Sequence, residues 1–210
     1  VTARGRFITF EGIDGAGKTT CLEAAAAFLR RQGIPVRITR EPGGTPVGEA
    51  IRSVLLSPGT SMLPETETML VFAARHEHVH GVILPALEAG VWILCDRFLD
   101  ATIAYQGGGR GVDSERIRSL MQWVHPTLEP DITVLLHVDV DVATQRIGGR
   151  GNLDRFESEA AAFHRRVSST YLDLAAQDPR RIRVVAGTGS PEVVRQRVET
   201  ALSAAVDALP

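Results

Sequence analysis

Apolar and polar positions fall into two kinds of block along this chain. Short β-rich apolar runs occur at RFITFE (6–11), VRIT (36–39), VWILC (91–95), ITVLLHV (132–138) and IRVVA (182–186). The last three are nearly continuous, the pattern of strands covered on both faces. Between them lie helical stretches. The alanine-rich segment from Cys21 to Arg31 is stopped by Gly33 and Pro35, and a long pattern runs from Pro64 to Ala89 before Gly90. Strands separated by helices predict a parallel sheet with right-handed crossovers. No repeat, linker or low-complexity segment interrupts the pattern, so one α/β domain over 1–210 is expected.

Composition narrows the function classes. Net charge is −2, so no broad basic field exists to attract nucleic acid or an acidic membrane surface. No apolar run approaches the roughly 18–20 residues of a membrane span, and the N-terminus lacks the apolar core of a signal peptide. Cys21 and Cys95 form neither a C-x-x-C pair nor a zinc spacing; they read as small buried hydrophobes in a reducing compartment. A cytoplasmic protein is expected. Among 23 basic residues only Lys18 is lysine, and that changes the picture.

Gly12-x-x-x-x-Gly17-Lys18-Thr19 matches the phosphate-binding loop, and it stands after a strand and before a helix as that motif requires. Glycines let several backbone N–H groups converge on one anion, and the helix adds its positive end. A compact ammonium reaches β- and γ-phosphates as a point charge, which a planar guanidinium cannot imitate in that space. Thr19 offers a hydroxyl to magnesium. Gly12, Ile13, Asp14, Gly15, Ala16, Gly17, Lys18, Thr19 and Thr20 therefore form the expected ATP site. The bland alternative, a Gly-rich turn, requires the sole lysine to fall there by chance.

The loop does not identify the phosphoryl acceptor. A guanine-reading Asn/Thr-Lys-x-Asp box needs a second lysine, as does the signature lysine of partition-type ATPases. Asp96 is followed by Arg97 rather than by the glutamate of mechanical ATPases. Water activation is poorly provided for, and transfer to a bound acceptor fits better.

FEGIDGAGKTT, REPGGTPVGEAIR, FAARHEH, CDRFLDATIAYQGGGRG and RGNLDRFE follow in this order over nearly the whole chain. Together they resemble the bacterial thymidylate kinases, P-loop nucleoside monophosphate kinases that transfer the ATP γ-phosphate to dTMP. REPGG and DRF…AYQGGGRG discriminate far better than the phosphate loop. The resemblance implies a P-loop NTPase fold: a five-stranded parallel sheet, helices on both faces and an Arg-rich lid at about 146–157. It also implies ATP, dTMP and Mg²⁺ as ligands, dTDP for dTTP synthesis as the product, and a homodimer. A base pocket built for another nucleotide, or a nucleotide-regulated switch, remains as an alternative.

No general base is needed, because the attacking phosphate oxygen is already anionic; positioning and charge neutralisation must suffice. Asp96-Arg97 reads either as an ion pair at a strand end or as a functional pair. The resemblance makes Arg97 the clamp on the dTMP phosphate and Asp96 a magnesium ligand. It makes Arg52 a second phosphate ligand and assigns Glu41 to Arg97 or the metal water. Pro42-Gly43-Gly44 approaches the nucleotide, and Asp14 meets the sugar 3′-hydroxyl. Arg75, Thr102 and Gln106 correspond to residues at the base edge, and Tyr105 to the aromatic below the deoxyribose. Many relatives carry a stacking phenylalanine four residues before this arginine. Here that position is Val71, and Phe72 is the stacking candidate, against core packing.

In the lid, Arg150 and Arg155 are expected to supply the catalytic arginine absent from the phosphate loop, with Arg146 on the adenine face and Gly187–Ser190 lining that site. A solvated run of arginines is the plain alternative. His76, His78 and His80 invite a metal reading, but only His76 and His80 share a helix face, so core or surface roles are expected.

Overall fold

The computed structural model describes residues 4–148 and 153–207. Its strands are β1 (Phe7–Glu11), β2 (Val36–Arg40), β3 (Trp92–Asp96), β4 (Ile132–His137) and β5 (Ile182–Ala186). They form one all-parallel sheet in the order β2-β3-β1-β4-β5. The helices are α1 (Lys18–Arg31), α2 (Pro46–Leu56), α3 (Pro64–His78), α4 (Leu84–Glu88), α5 (Leu99–Thr102), α6 (Ser114–Val124), α7 (Val140–Gly148), α8 (Ala161–Gln177) and α9 (Pro191–Asp207).

Alternation along the strands divides the core in two. Ile8, Phe10, Leu94, Val134 and Leu136 pack with α1, α8 and α9 on one face. Phe7, Ile93 and Cys95 pack with Val79, Ile83, Leu87 and Phe98 on the other. Each such side chain contributes roughly 1.5–3 kcal/mol on burial, which is why the three central strands carry the longest apolar runs. Helices therefore cover both faces, as expected. IRVVA differs from its expected place. It is an edge strand with Arg183 and Val184 exposed, because only β4 pairs with it.

The long helical pattern at 64–89 is present but not uniform. A π-helical turn, Val79–Ile83, joins α3 to α4. Pro85 lacks an N–H and its ring crowds the carbonyl of Gly81, so the regular ladder widens there. α2 starts with Pro46 behind Thr45, whose hydroxyl accepts the Gly48 N–H at 3.0 Å. Cys21 and Cys95 are free and buried, and burial pushes both thiols up from their ordinary value. Among the described residues, no helix is long and apolar enough to cross a membrane.

Register brings the carboxyl ends of the inner strands to one rim. Asp96 pairs with Phe10 on one side and Arg40 on the other. Chain direction diverges from β1, towards β3 and β2 on one side and β4 and β5 on the other. Ligands of parallel sheets bind at such a switch point.

One buried group makes stability depend on pH. His125 is 3% exposed, lies between Phe72 and Phe98, and has Nε2 without a hydrogen-bond partner. Burial, and then the Arg75 charge, hold its imidazolium down at about 4 against an ordinary 6.5. The folded state resists this proton, so the stability is fully present above pH 6.5 and is withdrawn as pH falls towards 4, by on the order of 3 kcal/mol. His125→Asn keeps a donor for the Leu128 carbonyl. Its melting temperature should fall less between pH 7.5 and 4.5 than the parent's; equal falls would contradict this account.

Candidate active site

The loop after β1 owes its shape to backbone crowding. A Cβ on Gly12 would sit 2.4 Å from the Leu136 carbonyl oxygen, and one on Gly15 would sit 2.5 Å from that of Ala143. Both positions also have positive φ, which only glycine takes without strain. Lys18 opens α1 and folds back over the loop, donating from Nζ to the carbonyls of Gly12 (3.1 Å) and Ile13 (3.2 Å). Burial and then Arg97 lower its ammonium from the ordinary value, opposed by Asp14 and Asp96. Around it opens a polar cleft of ≈ 750 Å³. Thr19, Thr20, Asp96, Arg52 and Arg97 line it, as does Arg40 from the end of β2. Asp96 Oδ1 is buried in this region with no hydrogen-bond partner.

Arg97 follows β3 with φ 71°, a left-handed conformation rare for a side chain of this size. Its guanidinium is held from several sides. Nη1 donates to the Gly12 carbonyl (3.0 Å) and the Tyr171 hydroxyl (3.3 Å), and Nη2 to Asp14 Oδ1 (2.5 Å) and the Tyr105 hydroxyl (3.0 Å). Tyr105 also donates to Asp14 Oδ2. Burial pushes the Asp14 carboxyl up, but Arg97 and Lys18 outweigh it and hold the group well below its usual range. Glu11 braces the same turn. Its oxygens accept the Phe98 N–H and the Tyr171 hydroxyl, both at 2.7 Å. Burial and then Asp100 push its carboxyl up to about 7.

A second cleft of ≈ 580 Å³ joins the first, sharing Asp14, Glu41, Arg52, Arg97 and Asp154. Pro42, Val71, Arg75, Phe98, Thr102, Tyr105 and Gln106 complete much of its wall. Arg75 is 1% exposed and almost fully committed. Nε donates to Glu41 Oε2 (2.7 Å), while Nη2 donates to the Phe98 carbonyl (3.0 Å) and Thr102 Oγ1 (2.9 Å). Phe72 and Phe98 lie against the guanidinium, each 4.9 Å from it. Nη1 alone has no partner.

Several expected roles change here. Phe72 does not line the cleft; it packs with Ile117 and Val124 and stacks on His125, while Val71 and Phe98 take the wall. On a helix, a three-residue step from Arg75 points to the opposite side of it from a four-residue step. Glu41 does not reach Arg97; its partners are Arg75 and His78. Gln106 lines the cleft, yet its amide donates to Glu67. Arg52 donates to the Pro42 carbonyl at 2.9 Å and faces both clefts.

The lid segment differs most. Arg155 turns away from the phosphate loop: Nη2 reaches Glu67 Oε2 (2.5 Å) and Nε the Leu55 carbonyl (2.8 Å). Arg146 bridges the carbonyls of Gly15 and Gly187, at 3.2 and 3.1 Å. Arg150 lies outside the described residues. The His76 and His80 rings lie 4.6 Å apart, tilted by 45°, and the described residues hold no group of three metal-ligating side chains.

The Thymidylate kinase family model matches residues 10–198. The chain is 54% identical to thymidylate kinase of Nitrosomonas eutropha over 91% of its own length and 89% of the relative's. It is 50% identical to thymidylate kinase of Nitrosospira multiformis, over 95% and 98%. The chain belongs to the thymidylate kinase family. The crystal structure of thymidylate kinase from Ehrlichia chaffeensis superposes with a TM-score of 0.78 at 34% identity, covering 95% of this chain and 99% of that one. In this thymidylate kinase family member, sequence reasoning missed Glu11, Arg40, Glu67, His78, Phe98 and Tyr171. Glu67 carried a signal: with Val71, Arg75 and His78 it follows steps of four, four and three, a single inward helix face.

Proposed function

We propose that the protein transfers the γ-phosphoryl group of ATP to dTMP, forming dTDP. The observation that carries this reading is Arg75 Nη1, a buried donor without a partner on a residue that lines the cleft joined to that of the phosphate loop. An unpaired buried donor costs about 1–3 kcal/mol, so a ligand carbonyl there gains what the free protein lacks. Thymine offers such a carbonyl, with the Thr102 hydroxyl beside it.

The same reading gives the remaining residues their roles. ATP lies on the phosphate loop with Lys18 at its β- and γ-phosphates, and Arg146 with Gly187 borders its outer end. The dTMP phosphate lies at the junction, between Arg52 and Arg97, where the two clefts share residues. Asp14 takes the sugar 3′-hydroxyl, and the Tyr105 ring, fixed by Asp14 and Arg97, fills the space a 2′-hydroxyl would need. A dTMP phosphate oxygen attacks directly, and the charge crowded between two polyanions is met by Lys18, Arg97, Arg52 and Arg40. With Arg155 tied to Glu67, those residues supply the cationic contacts.

The donor set fits a magnesium ion, since Asp96 Oδ1 is a buried oxygen without a partner and Thr19 lines the same cleft. Asp96 and Thr19 would hold it, and the bound ion neutralises charge on the donor phosphates. A homodimer belongs to the same reading: Val54, Leu63, Met69 and Trp123 are exposed on or beside α2, α3 and α6, which pack side by side. So does a cytoplasmic place in nucleotide synthesis, with no role for nucleic acid or a membrane. ADP formation from ATP and Mg²⁺ tests the activity. It should be rapid with dTMP and nearly absent without it, and ADP release independent of dTMP would overturn the proposal.

A further inference from the structure

Between β2 and α3 lies a buried chain of polar contacts that touches no part of either cleft except through Arg75 and Glu41. Glu41 is 3% exposed and His78 is fully buried. Arg75 Nε meets Glu41 Oε2 at 2.7 Å, and His78 Nδ1 meets Oε1 at 2.9 Å. An ionised carboxylate only accepts, so Nδ1 must carry the proton and donate it. The other ring nitrogen, Nε2, lies 2.6 Å from the Thr39 hydroxyl. Thr39 belongs to β2, at the sheet's edge, and His78 closes α3.

The arrangement fixes an angle. A carboxylate held at one oxygen can swing about that contact; held at both, its plane is set. The guanidinium is set in turn by Glu41 at Nε and by Phe98 and Thr102 at Nη2. Nη1 is then left without a hydrogen-bond partner. Gly44 closes the other side of the imidazole. A Cβ there would come within 2.5 Å of His78 Cδ2, and its φ is 80°, so the turn after Pro42 lies directly on the ring.

We propose that His78, anchored by Thr39, is a positioning residue for base recognition: it orients Glu41, and through it the free Nη1 of Arg75. The proposal rests on the dTMP reading above. Arg75 Nη1 is a donor, so it favours the carbonyl at position 4 of thymine over the amino group that cytosine carries there. Loss of orientation should therefore appear as loss of discrimination between dTMP and dCMP. Mere loosening of the fold would lower both activities together.

The experiment measures kcat and KM for dTMP and dCMP, with ATP saturating, in the parent, His78→Ala, His78→Asn and Thr39→Val. For His78→Ala we expect KM for dTMP to rise about tenfold, kcat to change by less than about threefold, and the dTMP/dCMP ratio of kcat/KM to fall about tenfold, the scale of one hydrogen bond to a charged group. Asparagine places an N–H near the lost Nδ1 and should recover most of the ratio. Thr39→Val should lower it by a smaller factor. An unchanged ratio in His78→Ala and Thr39→Val, with or without a lower melting temperature, overturns the positioning role. A parent that does not prefer dTMP to dCMP overturns the base reading instead, so the two failures are distinct. Should His78→Ala not fold, the asparagine and Thr39 variants decide between these outcomes.

Discussion

Lys18→Arg is expected to lower kcat by on the order of 10²–10³ while leaving the melting temperature within a few degrees of the parent. The substitution keeps the charge and loses the shape. Lys18 Nζ sits against the carbonyls of Gly12 and Ile13 in a site where the side chain is only 7% exposed. The loop around it is packed at Gly12 and Gly15, where backbone carbonyls leave no room for a Cβ, which opposes widening to admit a planar fork. A guanidinium would either clash with those carbonyls or lie across the space intended for phosphate. The fold draws little from this contact, since α1 is anchored by Cys21, Leu22, Ala25, Ala26 and Leu29 in the main core. Steady-state rates and a thermal melt check both halves. Activity within threefold of the parent would mean that a point charge is not what this position supplies.

Glu67→Ala should be the most destabilising single change in the lid region. Glu67 is 1% exposed and accepts from Arg155 (2.5 Å), Gln106 (2.8 Å) and Arg110 (3.4 Å). Removing it takes the acid from the mostly buried Arg155 guanidinium, while Arg110 keeps Glu159 at 2.6 Å. Breaking a buried pair from one side typically costs about 3–5 kcal/mol, which for a chain of this size lowers the melting temperature by roughly 6–20 °C. Glu67→Gln keeps the acceptor and loses the charge, so it should cost less. Arg155→Ala follows the same logic: it should raise the KM for dTMP through the adjoining Gln106 and Phe156 wall, with a smaller effect on kcat. Differential scanning calorimetry of the Glu67 variants checks the first claim. A shift below about 2 °C for Glu67→Ala would show that the contact is solvated and interchangeable.

These two cases show why parts of the site are legible in a sequence and parts are not. The strands announced themselves because a covered strand has to be apolar at nearly every position. The phosphate loop did so because its chemistry demands glycines, one ammonium and one hydroxyl at fixed spacing. Arg97, Asp96 and Tyr105 were legible through motifs, and the structure brings Arg97 and Tyr105 onto Asp14. The partners of Glu41 were not. Both come from α3, 34 and 37 residues further on, and nothing local tells a buried glutamate which cation it meets. Phe72 illustrates a finer limit, since a shift of one residue along a helix turns a side chain by ~100°, from the cleft wall into the core. The exposure of β5 was written in Arg183, but its place at the edge is a fact of strand order, which local patterns do not encode. Arg155 read as a mobile cation because glycines precede it; its acid partner lies 88 residues away in α3.

The acceptor is the central claim, and a panel of nucleotides tests it most directly. With ATP and Mg²⁺ saturating, kcat/KM is measured for dTMP, dUMP, UMP, dCMP and dGMP. The account predicts dTMP as the preferred substrate. UMP should be poor because Tyr105 occupies the space beneath the sugar, and dCMP poor because Arg75 Nη1 meets an amino group in place of a carbonyl. Arg75→Ala should lower kcat/KM for dTMP by one to two orders of magnitude, on the order of 1–3 kcal/mol, with ATP affinity nearly unchanged. A parent enzyme that prefers dGMP or dCMP would leave the phosphate loop intact as a donor site and would contradict the thymine reading of the inner cleft.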